Sequence, residues 1–216
     1  MKFGKPVVAG LLLAAGASTR MADLKQLLPV RGRPMLSAVL GEALTSDLDQ
    51  VVLVLGHRAS DIRKSLGSQL RHPRLQIIEN PNYLHGISSS IKAGLREIRE
   101  QCDHAMILLA DMPFLEACHI NTLLRAYLVS GQPLGALAVA GRRSHPVVFS
   151  RDLFGELDTL EGDVGARELF RKYADSVCLA PSGKDWDDRD IDTPEDYAAI
   201  GRNGKNIEYR IRNVES

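Results

Sequence analysis

The chain has 216 residues, enough for one α/β domain with a substantial core but too few for two full domains. Its 27 Lys and Arg residues balance 27 Asp and Glu residues, so no net field favours nucleic acid or an acidic membrane as a partner. The 3 cysteines form no C-x-x-C pair, which argues against a disulfide framework and a structural zinc site, and no apolar run is long enough to span a bilayer. We therefore expect a cytoplasmic protein.

Short apolar runs alternate with segments of helical spacing through the first two thirds of the chain. Strands are predicted over 7–13, 51–55, 75–78, 105–109 and 134–139, and helices over 35–44, 59–70, 89–99 and 119–128. Strands that are apolar on both faces and alternate with helices predict a doubly wound, mainly parallel sheet with helices on both faces. In this architecture ligands bind at the carboxyl ends of the strands, where the strand order reverses.

The remainder of the chain is less regular. Strands are predicted over 146–149 and 176–179, and helices over 151–157 and 166–174. A last helix begins at Thr193-Pro194-Glu195-Asp196, because Thr is a good N-cap, Pro suits the first turn and acids suit the positive helix end. We expect a single domain over 1–200 and a loosely ordered polar tail over 201–216.

The segment after the first strand has the composition of a phosphate-binding loop. Small residues from Leu13 to Ser18 are followed by Arg20 and Lys25, so backbone N–H groups can approach phosphate oxygens while two cations neutralise charge. The chain contains no G-x-x-x-x-G-K-[ST] and no G-x-G-x-x-G after this strand, so it has neither of the two commonest phosphate loops. The loop is interpreted as a nucleoside triphosphate site, and a plain strand–helix turn with two solvated cations is the alternative.

Carboxylates follow at positions suited to a metal ion. Asp111 stands at the carboxyl end of a buried strand, where it could hold Mg²⁺ against phosphates or instead cap the next helix. Asp190 and Asp192 alternate along an extended segment and so share one face. One of them could be the second metal ligand, or both could belong to an acidic loop.

Seven blocks of sequence, in order, resemble one known family. They cover about residues 7–200, and the chain is similar to the molybdenum cofactor nucleotidyltransferases, most of all to their cytidylyltransferase branch. The blocks are Leu13-Ala-Ala-Gly16-x-Ser18-x-Arg20-Met21 with Lys25; Leu27-Leu28-Pro29 with Gly32-x-Pro34; Asn80-Pro81 with Gly86, Ser89, Ser90 and Gly94; Asp111-Met112-Pro113; His145-Pro146; Gly162-Asp163-x-Gly165-Ala166-Arg167; and Asp190-Ile-Asp192-Thr-Pro-Glu-Asp196. Ala22 departs from the pattern, since the family usually has Gly there, and Ala15-Gly16 replaces the Gly-Gly usual in the guanylyltransferases.

The resemblance implies a Mg²⁺-dependent nucleotidyltransferase of nucleotide-diphospho-sugar transferase-like fold. Such an enzyme would transfer CMP from CTP to the phosphate of molybdopterin, release pyrophosphate and serve a molybdoenzyme or its chaperone. The added methyl of Ala15 narrows the base pocket and so disfavours a purine, although a single methyl discriminates only modestly.

The implied site divides into four groups of residues. Arg20 and Lys25 would be catalytic, with Arg20 neutralising the β- and γ-phosphates and Lys25 the α-phosphate. The metal would lie on Asp111 and Asp192, and the acceptor on His145 and Arg167. The nucleotide would be bound by Leu13, Ala14, Ala15, Gly16, Ala17, Ser18, Arg20, Lys25, Gly86, Ser89 and Ser90. The alternatives are simple helix capping for Ser89 and Ser90 and a turn role for His145 before Pro146.

Three other functions are compatible with such a chain. One is a guanylyltransferase, or another nucleotidyltransferase of this fold with a different phosphorylated acceptor. The second is a nicotinamide- or flavin-dependent oxidoreductase on the same fold, which the missing G-x-G-x-x-G disfavours. The third is a chaperone that binds the pterin without chemistry, which would have no need of a triphosphate clamp.

Overall fold

A single seven-stranded sheet organises the chain. The computed structural model describes residues 4–17, 21, 24–163, 165–183 and 186–203, without the side chains of 201–203. The described strands are β1 (Val8–Ala14), β2 (Pro29–Val30), β3 (Arg33–Pro34), β4 (Gln50–Leu55), β5 (Leu75–Glu79), β6 (His104–Leu109), β7 (Leu134–Val139), β8 (Arg142–Ser150) and β9 (Val177–Pro181). The described helices are α1 (Met35–Thr45), α2 (Ala59–Leu66), α3 (Ile87–Ile98), α4 (Ala117–Ser130), α5 (Phe154–Leu157), α6 (Arg167–Lys172) and α7 (Pro194–Asn203).

The strand order places the opening strand at the centre of the sheet. The order is β5-β4-β1-β6-β8-β7-β9, and β2 and β3 form a separate short hairpin. Strands β5, β4, β1 and β6 are parallel, whereas β8 runs antiparallel to both β6 and β7. The chain moves outward from β1 to β4 and β5 and then returns to the other side of β1 with β6. The order therefore reverses between β1 and β6, whose carboxyl ends form the crevice where this architecture binds ligands.

Alternate residues of β1 serve two cores on opposite faces of the sheet. Leu12 and Ala14 pack with the buried faces of α1, α2 and α4. Leu11 and Leu13 pack with α3, α5 and α6. This strand is apolar throughout because both of its faces are covered, so the predicted doubly wound, mainly parallel fold with helices on both faces is confirmed.

Several predicted boundaries shift for local reasons. The helix predicted over 59–70 ends at Leu66, because Gly67 has φ +51° and the chain continues as a 3₁₀ turn over Gly67–Arg71. The helix predicted over 151–157 is a 3₁₀ turn followed by one turn of α-helix. The last helix extends to Asn203 and so includes the first three residues assigned to the tail, while 204–216 lie outside the described residues. Within the described part of the chain, no helix combines the length and apolarity needed to cross a membrane.

Candidate functional site

A lysine and two carboxylates from distant parts of the chain meet at the crevice between β1 and β6. The Lys25 Nζ donates one hydrogen bond of 2.7 Å to Asp111 Oδ2 and another of 2.7 Å to Asp192 Oδ1. Lys25 opens a 3₁₀ turn after the small-residue loop, Asp111 follows β6, and Asp192 lies just before α7. The structure thus places both aspartates beside the loop and joins them through one ammonium group.

The charge of Lys25 is stabilised where it lies. Burial lowers the pKa of Lys25, but the charges and hydrogen bonds of Asp111 and Asp192 oppose this effect and together raise the pKa above its ordinary value. Its side chain is only 14 % exposed, so solvent screens the two ion pairs weakly. The ammonium form of Lys25 is therefore favoured near neutral pH.

Asp111 does not cap the helix that follows it. Helix α4 is capped by Glu116, whose carboxylate accepts from the His119 backbone N–H while Glu116 N donates to His119 Nδ1 at 3.1 Å. The alternative of Asp111 as a helix cap is therefore wrong. Asp111 Oδ1 is buried and, among the described residues, has no hydrogen-bond partner.

Backbone contacts set the position of Asp192. Ile191 N donates a 3.0 Å hydrogen bond to Asp111 O, which fixes the segment before α7 against the end of β6. The Ile191 side chain is buried in a third apolar cluster with Tyr197 of α7. Thr193 caps this helix as predicted, since its Oγ1 accepts from Asp196 N at 3.2 Å.

Asp190 lies close enough to the same charges to interact with them. Burial raises its pKa, and the charges of Asp111 and Asp192 raise it further, while Lys25 opposes them. It is Asp192 whose carboxylate accepts the hydrogen bond from the Lys25 ammonium. Of the two alternating carboxylates, Asp192 is thus the one that joins Asp111.

Gln26 holds the small-residue loop and was not identified from the sequence. It is 2 % exposed, and its Nε2 donates to Gly16 O at 3.0 Å and to Ala14 O at 3.4 Å. A polar residue between Lys25 and an apolar Leu-Leu pair is the signal that could have indicated a buried structural amide.

A cavity of about 480 Å³ opens beside this cluster. Its lining includes ten of the residues predicted to bind nucleotide or metal: Leu13, Ala14, Ala15, Gly16, Ala17, Lys25, Gly86, Ser90, Asp111 and Asp192. Gln26, Tyr83 and Asp163 also line it and were not assigned individual roles from the sequence. Ser18, Arg20 and the departure at Ala22 lie outside the described residues.

The lining of this cavity, as far as the described residues show it, does not include Ser89. Ser89 lies instead in a neighbouring groove, where its Oγ donates to Gly86 O at 2.8 Å and accepts from Asn80 Nδ2 at 2.8 Å. Its hydroxyl fixes the start of α3, and the direct nucleotide contact of Ser89 stays a prediction. Ser90 also accepts from Asn80 Nδ2, at 3.1 Å, but lines the cavity.

Gly86 allows two loops to meet at the rim of the cavity. It has φ +87° and ψ 177°, a backbone conformation that is essentially restricted to glycine. A Cβ at Gly86 would collide with the backbone C and O of Gly162 and lie 2.7 Å from Asp163 Oδ1. Two hydrogen bonds join the loops here, from Ile87 N to Asp163 Oδ1 at 3.1 Å and from Ser88 N to Gly162 O at 3.2 Å.

Gly86→Ala should therefore lower the free energy of unfolding by about 2 kcal/mol or more and weaken nucleotide binding, since both backbone strain and a collision with Gly162 are introduced. Gly131→Ala is the control, because Gly131 also has a positive φ (+66°) but open space where a Cβ would stand. That variant should lose only about 1 kcal/mol. Urea denaturation measures both, and equal losses would contradict the proposed close contact.

A second cavity of about 260 Å³ adjoins the first and contains both residues predicted for the acceptor, His145 and Arg167. The two cavities share Ile87, Leu109 and Asp163 as lining residues. Arg143 also lines the second cavity and was missed, although two consecutive arginines so close before His145-Pro146 are a signal of a basic surface.

His145 reaches this cavity because the strand pairing is irregular. In the β7–β8 ladder Ala136 pairs with Val147 but the next residue, Leu137, pairs with Ser144, so His145 and Pro146 are left outside the register. Such bulges redirect side chains next to active sites, and a proline fits one because it has no N–H to donate. The alternative of a turn residue is wrong, since His145 lies within β8.

The His145 ring is held neutral. Burial lowers its pKa, as do the charges of Arg143 and Arg167, against the opposing effects of the Ile107 backbone and of Asp111. Its Nδ1 is buried and lacks a hydrogen-bond partner among the described residues. A neutral imidazole has one nitrogen that donates and one that accepts, and the His145 ring lines the second cavity.

Comparison with known proteins identifies the family. The MobA-like NTP transferase domain matches residues 10–177. The chain belongs to this family. It is thus related to nucleotidyltransferases. Lys25 and Asp111 lie within the matched region, and Asp192 lies beyond its end.

Relatives of known name differ in how much of the chain they match. The chain is 31 % identical to purine catabolism protein PucB of Bacillus subtilis (strain 168), covering 91 % of this chain and 97 % of that protein. It is 31 % identical to nicotine blue oxidoreductase of Paenarthrobacter nicotinovorans, covering 88 % and 94 %. It is 30 % identical to molybdenum cofactor cytidylyltransferase of Escherichia coli (strain K12), but over only 49 % of this chain and 52 % of that protein. The predicted family is thus confirmed at the level of the NTP transferase domain.

Solved structures support the same fold. Rv0371c of Mycobacterium tuberculosis H37Rv superposes with a TM-score of 0.79 at 27 % identity, covering 92 % of this chain and 98 % of that chain. A complex of Rv0371C with manganese superposes with a TM-score of 0.75 at 27 % identity, covering 90 % and 97 %. A divalent cation therefore binds a protein of this fold.

Proposed function

We propose that this protein is a Mg²⁺-dependent cytidylyltransferase that transfers CMP from CTP to the phosphate of a molybdopterin-type acceptor and releases pyrophosphate. The observation that carries the proposal is the meeting of Lys25, Asp111 and Asp192 at a small-residue loop on the strand-order switch. The match to the cytidylyltransferase of Escherichia coli over half of the chain supports the choice of nucleotide and acceptor. The product would pass to a molybdoenzyme or its chaperone.

The residues present fit a hard divalent cation. Asp111 has a buried Oδ1 without a partner in the described part of the chain, and Asp192 supplies a second carboxylate beside it. Mg²⁺ is usually held by one or two carboxylates together with phosphate oxygens, so this donor set suits it. When bound, the cation would neutralise charge on the nucleotide phosphates.

The chain's own residues position the nucleotide for transfer. The loop from Leu13 to Ala17 offers backbone N–H groups to the phosphates, and the buried Gln26 amide keeps that loop in place. Lys25 carries a positive charge that can balance charge at the α-phosphate. Arg20 is proposed for the β- and γ-phosphates on the sequence alone.

Attack by the acceptor needs no general base. A phosphate oxygen of the acceptor is already anionic near neutral pH, so it forms a bond to the α-phosphorus while the bond from that phosphorus to the bridging oxygen breaks. Pyrophosphate leaves with the electron pair, and no proton has to move. Catalysis then consists of positioning and charge neutralisation. His145 and Arg167 line the adjoining cavity, where they would hold the acceptor.

The expected nucleotide preference follows from the wall of the first cavity. Ala15, Gly86 and Ser90 line it, and Ala15 carries a methyl where the guanylyltransferase pattern has glycine. A narrower wall should favour a pyrimidine by roughly tenfold, the lower end of the range expected of one methyl group.

A nucleotide panel tests the proposal directly. Pyrophosphate release is measured with CTP, GTP, ATP and UTP, each with Mg²⁺ and with or without purified molybdopterin. We expect release only in the presence of the acceptor and at least tenfold faster with CTP than with GTP. Preference for GTP would instead identify a guanylyltransferase. If CTP released pyrophosphate only with a different phosphorylated acceptor, the protein would still be a cytidylyltransferase, but molybdopterin would not be its acceptor.

An oxidoreductase is the second candidate, because one relative that matches most of the chain is named nicotine blue oxidoreductase. The same preparation is therefore assayed for NADPH oxidation with nicotine blue and for a bound flavin by its absorbance. Turnover of NADPH without pyrophosphate release from any nucleotide would overturn the transferase proposal in favour of this one.

A further inference from the structure

Two arginines in the second cavity lie close together, and within the described part of the chain neither has a carboxylate partner. Arg143 belongs to β8, Arg167 begins α6, and both line the cavity that adjoins the nucleotide cavity. Among the described residues, neither guanidinium has an acidic group within ion-pair distance, whereas the neighbouring Arg142 pairs with Asp188. Asp163 and Asp190 line the same cavity, yet neither carboxylate forms an ion pair with Arg143 or Arg167 among the described residues.

The fold fixes the Arg143 side chain in this arrangement. Its guanidinium carbon lies 4.2 Å from the centroid of the Phe170 ring, an arrangement that planar Arg adopts better than Lys. Phe170 is buried and packs edge-to-face on Phe149, so this platform is rigid. Partial burial and the charge of Arg167 both lower the pKa of Arg143, as expected of two cations close enough to repel each other.

A bound anion would relieve this repulsion, and a phosphate monoester suits two guanidinium groups best. Each fork can donate two parallel hydrogen bonds to a phosphate, so two forks can bind a dianion. The His145 imidazole lines the same cavity. The cavity adjoins the Asp111 crevice through shared walls, so a phosphate held there would have one oxygen left to approach the nucleotide.

We propose that Arg143 and Arg167 form a guanidinium clamp for the terminal phosphate monoester of the acceptor, and that Arg143 determines the preference for phosphorylated over unphosphorylated acceptors. The transfer role of this clamp rests on the proposed function, but its binding of a phosphate dianion does not. Arg143 is a specificity-determining residue in this account, and Lys25 and the two aspartates remain responsible for the nucleotide.

Binding of inorganic phosphate tests the clamp without reference to the reaction. The nucleotide cavity is first filled with α,β-methylene CTP and Mg²⁺, or with the corresponding analogue of whichever nucleotide the panel selects. Phosphate is then titrated while the ring resonances of His145 are followed by NMR, because this ring lines the cavity. The variants are Arg143→Gln, Arg167→Gln and Arg143→Lys, and the matched control is Arg142→Gln, which removes the adjacent exposed charge.

We expect phosphate to shift the His145 signal in the unmodified protein and in Arg142→Gln with equal affinity. Arg143→Gln and Arg167→Gln should each weaken binding at least tenfold, and Arg143→Lys should be intermediate because an ammonium lacks the planar fork. Equal affinity in Arg143→Gln, or equal weakening in Arg142→Gln, would overturn the clamp. Thermal unfolding of each variant verifies that the exposed substitutions leave the fold intact.

Kinetics then separate this inference from the proposed function. With the phosphorylated acceptor, Arg143→Gln should raise the KM for the acceptor at least tenfold and leave the KM for CTP unchanged. An unchanged acceptor KM alongside active transfer would reject the clamp and retain the transferase. Phosphate binding that depends on Arg143, in a protein that releases no pyrophosphate, would reject the transferase and retain the clamp.

Discussion

Asp111→Asn is expected to reduce nucleotidyl transfer by on the order of 10³-fold while leaving the fold intact. The substitution keeps the shape of the side chain but removes its negative charge, which pairs with the Lys25 ammonium through Oδ2. It also replaces one carboxylate oxygen with an NH₂ group, so the spare ligand atom at the end of β6 is lost or weakened. Pyrophosphate release with CTP and acceptor, at several Mg²⁺ concentrations, measures the effect.

Asp47→Asn is the matched control for this variant. Asp47 is exposed and pairs with Arg125 at 3.2 Å. It lies in the turn that precedes the amino end of β4, whereas the crevice lies at the carboxyl ends of β1 and β6. Its loss should leave turnover within about twofold, because surface ion pairs contribute little. Binding of Mn²⁺, followed by electron paramagnetic resonance, should be weakened only in Asp111→Asn. Full activity of that variant would refute the assignment of Asp111 to the metal.

The fold could be predicted because a sheet with an apolar core on each face requires strands that are apolar at nearly every position. Strands such as β1 and β4 are apolar at nearly every position since both faces are buried, and this pattern distinguishes a doubly wound sheet from a half-exposed one. The position of Asp111 followed from the same logic, as the first charged residue after a buried strand. What periodicity could not give was the exact end of each helix, which at Leu66 depends on the backbone of one glycine.

The candidate site was only partly predictable because it depends on contacts between distant segments. The residues alone left Asp190 and Asp192 as alternatives, and only the family resemblance favoured Asp192 as the partner of Asp111. The backbone hydrogen bond from Ile191 to Asp111, which holds this segment in place, is visible only in the structure. The sequence could not show that the Ser89 hydroxyl donates to Gly86 and accepts from Asn80, because these contacts depend on how the loop before α3 folds. The pair of arginines before His145-Pro146 could indicate a basic surface, but not that Arg143 shares a cavity with Arg167, which lies 24 positions later in the chain.

Lys25→Met is expected to have opposite effects on turnover and on metal binding to the nucleotide-free protein. Turnover should fall on the order of 10²-fold, mainly in kcat, because the charge that stabilises the reacting α-phosphate is removed. Affinity for Mn²⁺ alone should rise about tenfold, since an ammonium 2.7 Å from each carboxylate competes with any cation for Asp111 and Asp192. Nucleotide phosphates would draw this ammonium away, so metal and nucleotide should bind together in the unmodified protein.

Lys25→Arg is the matched control, because it keeps the positive charge beside the carboxylates while changing its shape. Its affinity for Mn²⁺ in the absence of nucleotide should remain low, whereas Lys25→Met binds the ion tightly with or without a non-hydrolysable CTP analogue. Both affinities are obtained from the paramagnetic resonance signal of free Mn²⁺, independently of activity. If Lys25→Met bound Mn²⁺ no better than the unmodified protein, the ammonium would not occupy the position of the cation. If Lys25→Met changed the KM for CTP and left kcat unaltered, Lys25 would be a binding residue without a role in the transition state.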